Sequence, residues 1–193
     1  MQTVIKETIY EETIKNSKFI SVIIPFDDNK NLKEELTMIK DKYKNATHYC
    51  YAYLLTNSKG FSDDGEPNKT AGLPMLTVLE KDNLVNILVV VIRYFGGIKL
   101  GPGGLIRAYT KLVKEGLKKA TKATIIEGYE LVIKFSYDKE KDINYLLKDS
   151  LIIEKNYQDS CIYTINIAKD LLNILKNKVE IIKLKEKLIP VKD

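Results

Sequence analysis

The 193-residue chain has no tryptophan, one histidine and two cysteines. The cysteines, Cys50 and Cys161, lie far apart in the sequence and form neither a CxxC pair nor a cluster with metal-ligand spacing. A zinc site is therefore not expected, because zinc is held by several Cys and His ligands close together. The same scarcity of cysteine favours a cytoplasmic protein whose thiols are reduced.

Long apolar runs are also missing. The longest, residues 87–92, is far too short to span a bilayer. Acids and threonines interrupt the N-terminal residues where a signal peptide would have an apolar core. We therefore predict no membrane segment and no signal peptide. Hydrophobic residues make up 45% of the chain and charged residues 30%, which is typical of a globular protein with one medium domain or two small ones.

The excess positive charge is concentrated in residues 93–122. This segment has eight Lys or Arg residues and one acid, whereas the other 163 residues contain 23 basic and 25 acidic residues. A glycine-rich turn in it precedes an amphipathic helix predicted from residue 105 to about 122. Such a turn at a helix start presents N–H groups that can bind an anion. The candidate anion-binding or RNA-binding residues are Arg93, Gly96, Gly97, Lys99, Gly101, Gly103, Gly104, Arg107, Lys111, Lys114 and Lys118.

A helical wheel separates this helix into a basic side and an apolar side. The basic side holds Arg107, Lys111, Lys114, Lys118 and Lys122, and the packing side holds Ile106, Tyr109, Val113, Leu117 and Ala120. A row of like charges repels itself, so its presence suggests a polyanionic partner. The alternative for the basic row is an ordinary solvated helix face. The alternative for the glycines is that they only form a tight corner that needs positive φ. The turn matches neither the Rossmann nor the P-loop motif.

Residues 62–67 gather three acids, Asp63, Asp64 and Glu66. Carboxylates this close can hold Mg²⁺ or orient a water molecule, although the EF-hand spacing is missing. Alternatively, they accept hydrogen bonds from local backbone N–H groups or pair with the basic segment. We favour the structural or electrostatic role and predict no metal and no cofactor.

The strand predicted at residues 48–55 places His48 and Cys50 on one face. A lone histidine there is more often a hydrogen-bonded core residue than a catalyst. A Cys–His nucleophile stays open, but no orienting partner is evident, so no catalytic residue is assigned. Tyr49, Tyr51 and Tyr53 alternate with them, either as a base-stacking platform or as an aromatic face packed under a helix.

The remaining pattern predicts an α+β fold with two domains, residues 1–125 and 126–193. In the first, strands are predicted at residues 3–10, 18–25, 48–55 and 85–94, and a short helix at 71–80. Another helix is predicted near residues 31–44, with Asp27, Asp28 and Asn29 as cap candidates. From residue 126 onward the order is βαββαβ, the ferredoxin-like arrangement.

Three segments resemble the YigZ/IMPACT family: ATHYCYAY (46–53), SDDGEPNKTAGLPML (62–76) and VVVIRYFGGIKLGPGGLIRAY (89–109). The resemblance implies an Impact N-terminal-type domain that shares its fold with the second domain of ribosomal protein S-five and domain four of elongation factor G. It implies that the C-terminal domain is similar to the last domain of that factor. The chain departs from bacterial members at Asn68 and Lys69, where Ser-Gly is frequent, and at Leu54, where Arg is frequent.

The basic segment and the resemblance together predict a cytoplasmic, non-enzymatic protein that binds RNA or the ribosome and modulates translation. Eukaryotic relatives are implicated in control of translation initiation, and the family implies no agreed catalytic residues. The C-terminal domain is expected to fix orientation or contact a protein. Two alternatives stay open: a Mg²⁺-dependent enzyme or binder of a phosphorylated small molecule or nucleotide, and a module whose basic helix meets an acidic protein. The oligomeric state is not predicted.

Overall fold

The computed structural model describes residues 1–27 and 30–191. The chain divides into two compact units, Met1–Lys122 and Ala123–Asp193, whereas the boundary predicted from the sequence lies after residue 125. Helices and antiparallel strand pairs occur in both units. The predicted α+β class with two domains is therefore confirmed. Across the described ranges, no helix combines the length and apolarity needed to cross a membrane.

The first unit is built on an antiparallel sheet with the strand order β2-β3-β6-β4-β5. Its elements are β1 (Gln2–Val4), β2 (Thr8–Ile14), β3 (Ser17–Pro25), α1 (Leu32–Lys42), β4 (His48–Leu54), β5 (Lys59–Ser62), α2 (Gly72–Lys81), β6 (Ile87–Tyr94) and α3 (Pro102–Lys119). The predicted strand at 3–10 is in fact two strands, since β1 bonds to residues 83–86 and is not a strand of this sheet. The edge strand β5 was not predicted, because its sequence, KGFS, has no apolar alternation.

Strand β6 is the centre of the first unit, as its continuous apolar sequence predicts. Val89 and Val91 belong to the core under α2 and α3. Leu88 and Val90 belong to a second core on the side of α1. Because side chains alternate along a strand, the one apolar run supplies both layers. The sheet is thus covered by α2 and α3 on one face and by α1 on the other.

Helix α1 begins later than the cap candidates suggested. Asn31 is the N-cap, and its side chain accepts a hydrogen bond of 3.0 Å from the Lys33 N–H. Of the predicted caps, Asp28 and Asn29 lie outside the described residues. The sequence pattern places Asn31 inside the helix. Asparagine is, however, as effective at the N-cap as the aspartates that were predicted there.

The alternating tyrosines of β4 form the aromatic face packed under α1. Tyr49, Tyr51 and Tyr53 are half-buried against the α1 core. The Tyr49 hydroxyl donates a 2.6 Å hydrogen bond to the Tyr43 carbonyl, just after α1 ends. A flat stacking platform for bases needs open ring faces, and this packing leaves the tyrosines in the structural role.

Helix α3 starts and ends three residues earlier than predicted. It follows Gly101, which has a φ of 71°, and its last residue is Lys119. Lys122 therefore lies at the start of the next strand and not in the basic row. Ile106 is 41% exposed although it was placed on the packing side. It shares the angular position of Val113, but it lies beside a groove between α2 and α3, where nothing covers it.

The second unit has a sheet with the strand order β10-β7-β9-β8, all antiparallel. Its elements are β7 (Lys122–Phe135), a 3-10 turn (Tyr137–Lys139), α4 (Glu140–Leu146), β8 (Leu151–Tyr157), β9 (Cys161–Ala168), α5 (Leu171–Lys176) and β10 (Glu180–Val191). Ile143 of α4 and Leu175 of α5 pack on Leu131 and Ile165 of the central strands. The first strand pairs with the third and fourth, as the split βαβ arrangement requires, so the ferredoxin-like prediction is confirmed.

A carboxylate with two tyrosine donors ties α4 to this sheet. Glu140 Oε1 accepts hydrogen bonds of 2.5 Å from the Tyr163 hydroxyl and 2.8 Å from the Tyr157 hydroxyl. The bond from Tyr163, followed by that from Tyr157, lowers the pKa of Glu140 below its ordinary value of 4.5. Because the folded pKa is lowered, this stabilisation is complete above the unfolded pKa and disappears as the pH falls through the folded value.

We expect Glu140→Gln to reduce the stability of the second unit at pH 6 and to have a decreasing effect as the pH falls below 4.5 and through the lowered folded pKa, since protonation removes the same charge. Hydrogen exchange of amides in residues 123–191, measured across that pH range in the full chain, reports the difference. Glu154→Gln on β8 is the matched control, because Glu154 is exposed. A difference that stays constant with pH contradicts the assignment.

Candidate functional site

The acidic loop between β5 and α2 holds the start of α2. Asp63 accepts hydrogen bonds from three backbone N–H groups, those of Lys69 at 2.8 Å, Ala71 at 2.9 Å and Gly72 at 2.9 Å. Ala71, at the N-cap position, has no side chain that can do this. Asp63 is therefore a remote cap that satisfies N–H groups of the first turn.

The other two acids of the loop have different partners. Asp64 Oδ2 accepts a 2.6 Å bond from the Tyr49 N–H, and the Asp64 carbonyl lies 2.8 Å from His48 Nδ1. Glu66 instead contacts Arg93. Within residues 1–27 and 30–191, no group of three His, Cys, Asp or Glu side chains is placed to hold a metal ion. Each of the three carboxylates is thus engaged with protein partners of its own.

Glu66 and Arg93 form a buried ion pair. Arg93 Nη1 donates to Glu66 Oε1 at 2.5 Å, and the exposed fractions of the two side chains are 5% and 3%. The guanidinium lies 5.2 Å from the centroid of Phe19 and 5.4 Å from that of Phe95. Arg93 was predicted to grip a phosphate at the surface. Its guanidinium is instead buried against a carboxylate, so any ligand would reach Arg93 only inside the fold and not on the outer surface.

The same carboxylate connects to Tyr109 and Cys50. The Tyr109 hydroxyl donates to Glu66 Oε1 at 2.8 Å, and Cys50 Sγ lies 3.3 Å from that hydroxyl. Burial raises the pKa of the Cys50 thiol to about 12, and burial also raises the pKa of Tyr109. The thiol is therefore protonated at neutral pH and is a poor nucleophile. His48 Nε2 approaches Glu66, at 4.0 Å, so the geometry disfavours a Cys–His pair.

A cavity of about 460 Å³ lies between the acidic loop and the glycine turn. Its polar lining includes His48, Glu66, Arg93 and Lys99, and its apolar lining includes Phe95, Leu100 and Leu105. Gly101 and Pro102, at the start of α3, also line it. The structure thus brings the ion pair, one rim lysine and the start of the basic helix to one concave site. Phe95 and Leu100 were not predicted as site residues, because no local pattern marks them.

The five predicted glycines serve different purposes. A Cβ on Gly96 would lie 1.9 Å from the Asn16 carbonyl oxygen, so this glycine permits close packing on the β2–β3 hairpin. Gly97 and Gly101 have positive φ values of 87° and 71°, which favour glycine. Gly103 and Gly104 lie in the first turn of α3, and in the described structure no acceptor bonds to their N–H groups. These last two are available to an anion.

The basic residues of α3 divide into paired and unpaired groups. Lys111 pairs with Glu12, and Lys118 pairs with Glu115 at 2.7 Å. Arg107 and Lys114 are exposed, and neither has an ion-pair partner in the part of the chain that the structure describes. Fewer basic residues of this helix are therefore left without an acidic partner than the predicted row contains.

The Impact N-terminal domain family model matches residues 15–117, which is more than half of the chain. This chain belongs to the IMPACT family. The family member YigZ of Escherichia coli is 36% identical over 158 residues, which are 78% of this chain and 77% of YigZ. The member YvyE of Bacillus subtilis is 48% identical over 111 residues, 56% of this chain, and the match spans about half, 51%, of YvyE.

Among solved structures, a crystal structure of a hypothetical protein matches with 28% identity and a TM-score of 0.63. The match covers 96% of this chain and 98% of that protein, so it includes residues of both units. The predicted resemblance to the IMPACT family is thus confirmed, and the family domain contains the whole cavity described above.

The backbone conformation of Lys69 is unusual for a residue with a side chain. Its φ is 60°, a conformation that favours glycine. Lys69 and Lys81 line a groove of about 320 Å³ between α2 and α3, together with Lys114. Neither Lys69 nor Lys81 was predicted. The Ser-Gly departure was the signal for Lys69, whereas Lys81 is an ordinary C-terminal helix lysine.

We expect Asp63→Ala to lower the free energy of unfolding by about 2 kcal/mol, because it leaves several N–H groups at the start of α2 without an acceptor. Chemical denaturation measures the change. Asp41→Ala on the exposed side of α1 is the control and should change stability little. Excess Mg²⁺ should not stabilise the wild type. Stabilisation by Mg²⁺ that disappears in Asp63→Ala contradicts the capping assignment.

Substitution of two glycines separates packing from helix-start geometry. Gly96→Ala should destabilise the first unit by at least about 2 kcal/mol, because the new methyl group meets backbone that cannot move freely. Gly103→Ala should be neutral or stabilising by up to about 1 kcal/mol, since its Cβ meets only the Arg107 guanidinium at 3.6 Å. Guanidinium unfolding curves of both variants check this, and equal effects contradict it.

Proposed function

We propose that this protein is a cytoplasmic, non-enzymatic factor that binds RNA or the ribosome through the first unit and modulates translation. The observation that carries the proposal is a set of cations on the α2–α3 side of the sheet, which we call the basic face. Its members are Lys69, Lys81, Lys99, Arg107 and Lys114. None of the five forms an ion pair within the described residues.

Unpaired lysines on a folded surface suit phosphate groups. Each cation that replaces a condensed counterion on a nucleic acid adds affinity that does not depend on sequence and that falls as salt rises. Lys111 and Lys118 contribute less to this field, because Glu12 and Glu115 neutralise them locally. The lysines that line the α2–α3 groove are therefore the centre of the proposed contact, and Arg107 extends it along α3.

The backbone of Lys69 supports a role for its charge. A residue with a side chain in the left-handed region is strained by about 1 kcal/mol relative to glycine. Lys69 has this conformation at the end of the acidic loop, with its N–H bonded to Asp63. This conformation places Lys69 in the lining of the α2–α3 groove, where its exposed charge is available to a phosphate.

The chemistry of the buried cluster supports binding over catalysis. The Cys50 thiol, with its pKa raised to about 12, lacks the depressed pKa of a nucleophile. The carboxylates of the acidic loop are engaged with backbone amides and with Arg93. The link to translation is supported by the family resemblance, which implies folds shared with a ribosomal protein and an elongation factor.

The second unit is proposed to contact a protein partner or to fix the orientation of the first. Support comes from apolar side chains on its surface, since large exposed apolar groups favour protein contacts. Examples are Tyr145 on α4, Ile153 on β8, and Ile182 and Leu184 on β10, all of which are exposed. This role is separate from the basic face and is not needed for the test below.

Co-sedimentation with purified ribosomes tests the basic face. Wild-type protein should pellet at about 50 mM salt and dissociate at about 200 mM. The triple variant Lys69→Glu, Lys81→Glu and Lys114→Glu should bind at least tenfold more weakly. It should also flatten the plot of log affinity against log salt by about 0.9 for each phosphate that the variant no longer neutralises.

The matched control reverses three exposed lysines in and after α1, on the other side of the sheet: Lys33→Glu, Lys40→Glu and Lys44→Glu. It has the same net charge as the test variant and should pellet like the wild type. If both triple variants bind equally weakly, the effect is due to net charge alone, and the assignment of the basic face as the contact surface is wrong. Pelleting that survives complete nuclease digestion of the RNA points instead to an acidic protein partner.

A further inference from the structure

Two residues that line the cavity beside the glycine turn have hydrogen-bonding groups without a partner. The two bonds that Glu66 accepts from side chains both go to Oε1. Its Oε2 has no partner among the described residues, although the side chain is only 3% exposed. Arg93 Nε is fully buried and has no partner in the described structure. More than nine in ten buried polar groups in proteins are satisfied, so the unpartnered Nε of Arg93, next to a carboxylate with one oxygen that accepts no bond, indicates a polar ligand.

One wall of the cavity is an aromatic ring. Phe95 is 45% exposed, and its ring lies over the Arg93 guanidinium at 5.4 Å. Its backbone is held in place, because the Phe95 N–H donates to Thr47 Oγ1 at 3.0 Å. A fixed and partly exposed ring on a concave site offers a stacking surface to a planar group.

The other side of the cavity favours an anion. Lys99 lines it, as do Gly101 and Pro102 at the start of α3. The helix start has no side-chain cap, and in the described structure nothing bonds to the N–H groups of Gly103 and Gly104. Uncapped N–H groups at the positive end of a helix, next to a lysine, suit a phosphate group.

We infer that this cavity binds a nucleoside monophosphate unit, either free or as an unstacked nucleotide of an RNA. The base stacks on the face of the Phe95 ring that Arg93 does not cover, and the polar groups of the nucleoside meet the polar lining of the cavity. The phosphate lies at Lys99 and the start of α3. The volume of about 460 Å³ is within the range of small-molecule sites. The inference shares Lys99 with the basic face, and where RNA supplies the ligand it rests on the proposed function, whereas Lys69, Lys81 and Lys114 line a different groove.

Calorimetric titration of the full chain tests the inference with three probes: the four nucleoside monophosphates, the matching nucleosides and inorganic phosphate. Phe95→Ala should lower the affinity for both nucleosides and monophosphates about tenfold, because it removes one stacking ring. Lys99→Ala should weaken the monophosphates about fivefold and leave nucleosides unchanged, since it removes a single charge-assisted hydrogen bond to the phosphate. Met38→Ala and Lys33→Ala, on the exposed side of α1, are the matched controls.

Both test residues are exposed, so these variants should fold, whereas removal of Glu66 or Arg93 breaks a buried ion pair and endangers the fold. The inference is overturned if none of the four monophosphates binds. It is also overturned if inorganic phosphate binds as tightly as the monophosphates do. An unchanged affinity in Phe95→Ala overturns it as well. If one of these results is found while the protein still pellets with ribosomes in a salt-sensitive way, only the cavity inference fails and the proposed function is unaffected.

A single-stranded trinucleotide distinguishes the two sources of the ligand. If RNA supplies it, the trinucleotide should bind at least tenfold tighter than the monophosphates and bind about tenfold more weakly to Phe95→Ala. If a free nucleotide is the ligand, the monophosphates should bind as tightly as the trinucleotide or more tightly. Both results support the cavity as the site, whereas trinucleotide binding that ignores Phe95 and Lys99 overturns it.

Discussion

The buried ion pair between Glu66 and Arg93 is the interaction on which the first unit depends. Two charges withdrawn from water are strongly destabilising unless their geometry and further hydrogen bonds compensate. Here Tyr109 adds a donor to the carboxylate, and the rings of Phe19 and Phe95 contact the guanidinium. The pair joins the central strand to the acidic loop, and Tyr109 joins both to α3. The pair also lines the cavity, while Asp63 of the same loop caps α2 through hydrogen bonds of its own.

This pair also explains how the excess positive charge is distributed. Arg93 and Gly96 belong to the interior, where they hold strands and loops together. Lys99 and Arg107 remain at the surface near the start of α3. The basic segment is therefore one stretch of sequence with two functions: its first part builds a concave site, and its helix carries charge outward. An anionic ligand in the cavity and a polyanion on the basic face would meet adjacent parts of one helix.

Local sequence patterns predicted the elements well and their ends less well. The apolar run of β6 and the order of the second unit were confirmed, since periodicity and composition report burial directly. The predicted end of α3 was wrong because Lys122 continues a helical pattern but joins strand β7. Strand β5 was missed because pairing with β4, and not its own side chains, makes it a strand. Lys81 was missed because its neighbour across the groove, Lys114, lies in a different helix, far along the chain.

The sequence by itself determined the two-domain α+β class, the central strand, the amphipathic helix and the family, because each depends on residues that are close together along the chain. Only the tertiary structure decided which charged side chains are paired within the protein and which remain unpaired. It pairs Arg93 with a carboxylate 27 positions earlier and Lys111 with Glu12, 99 positions away. It also sends Asp63 to cap a helix that starts 9 positions later. Such partners depend on distance in space, and the energy of a buried charge depends on its surroundings, neither of which a linear pattern contains.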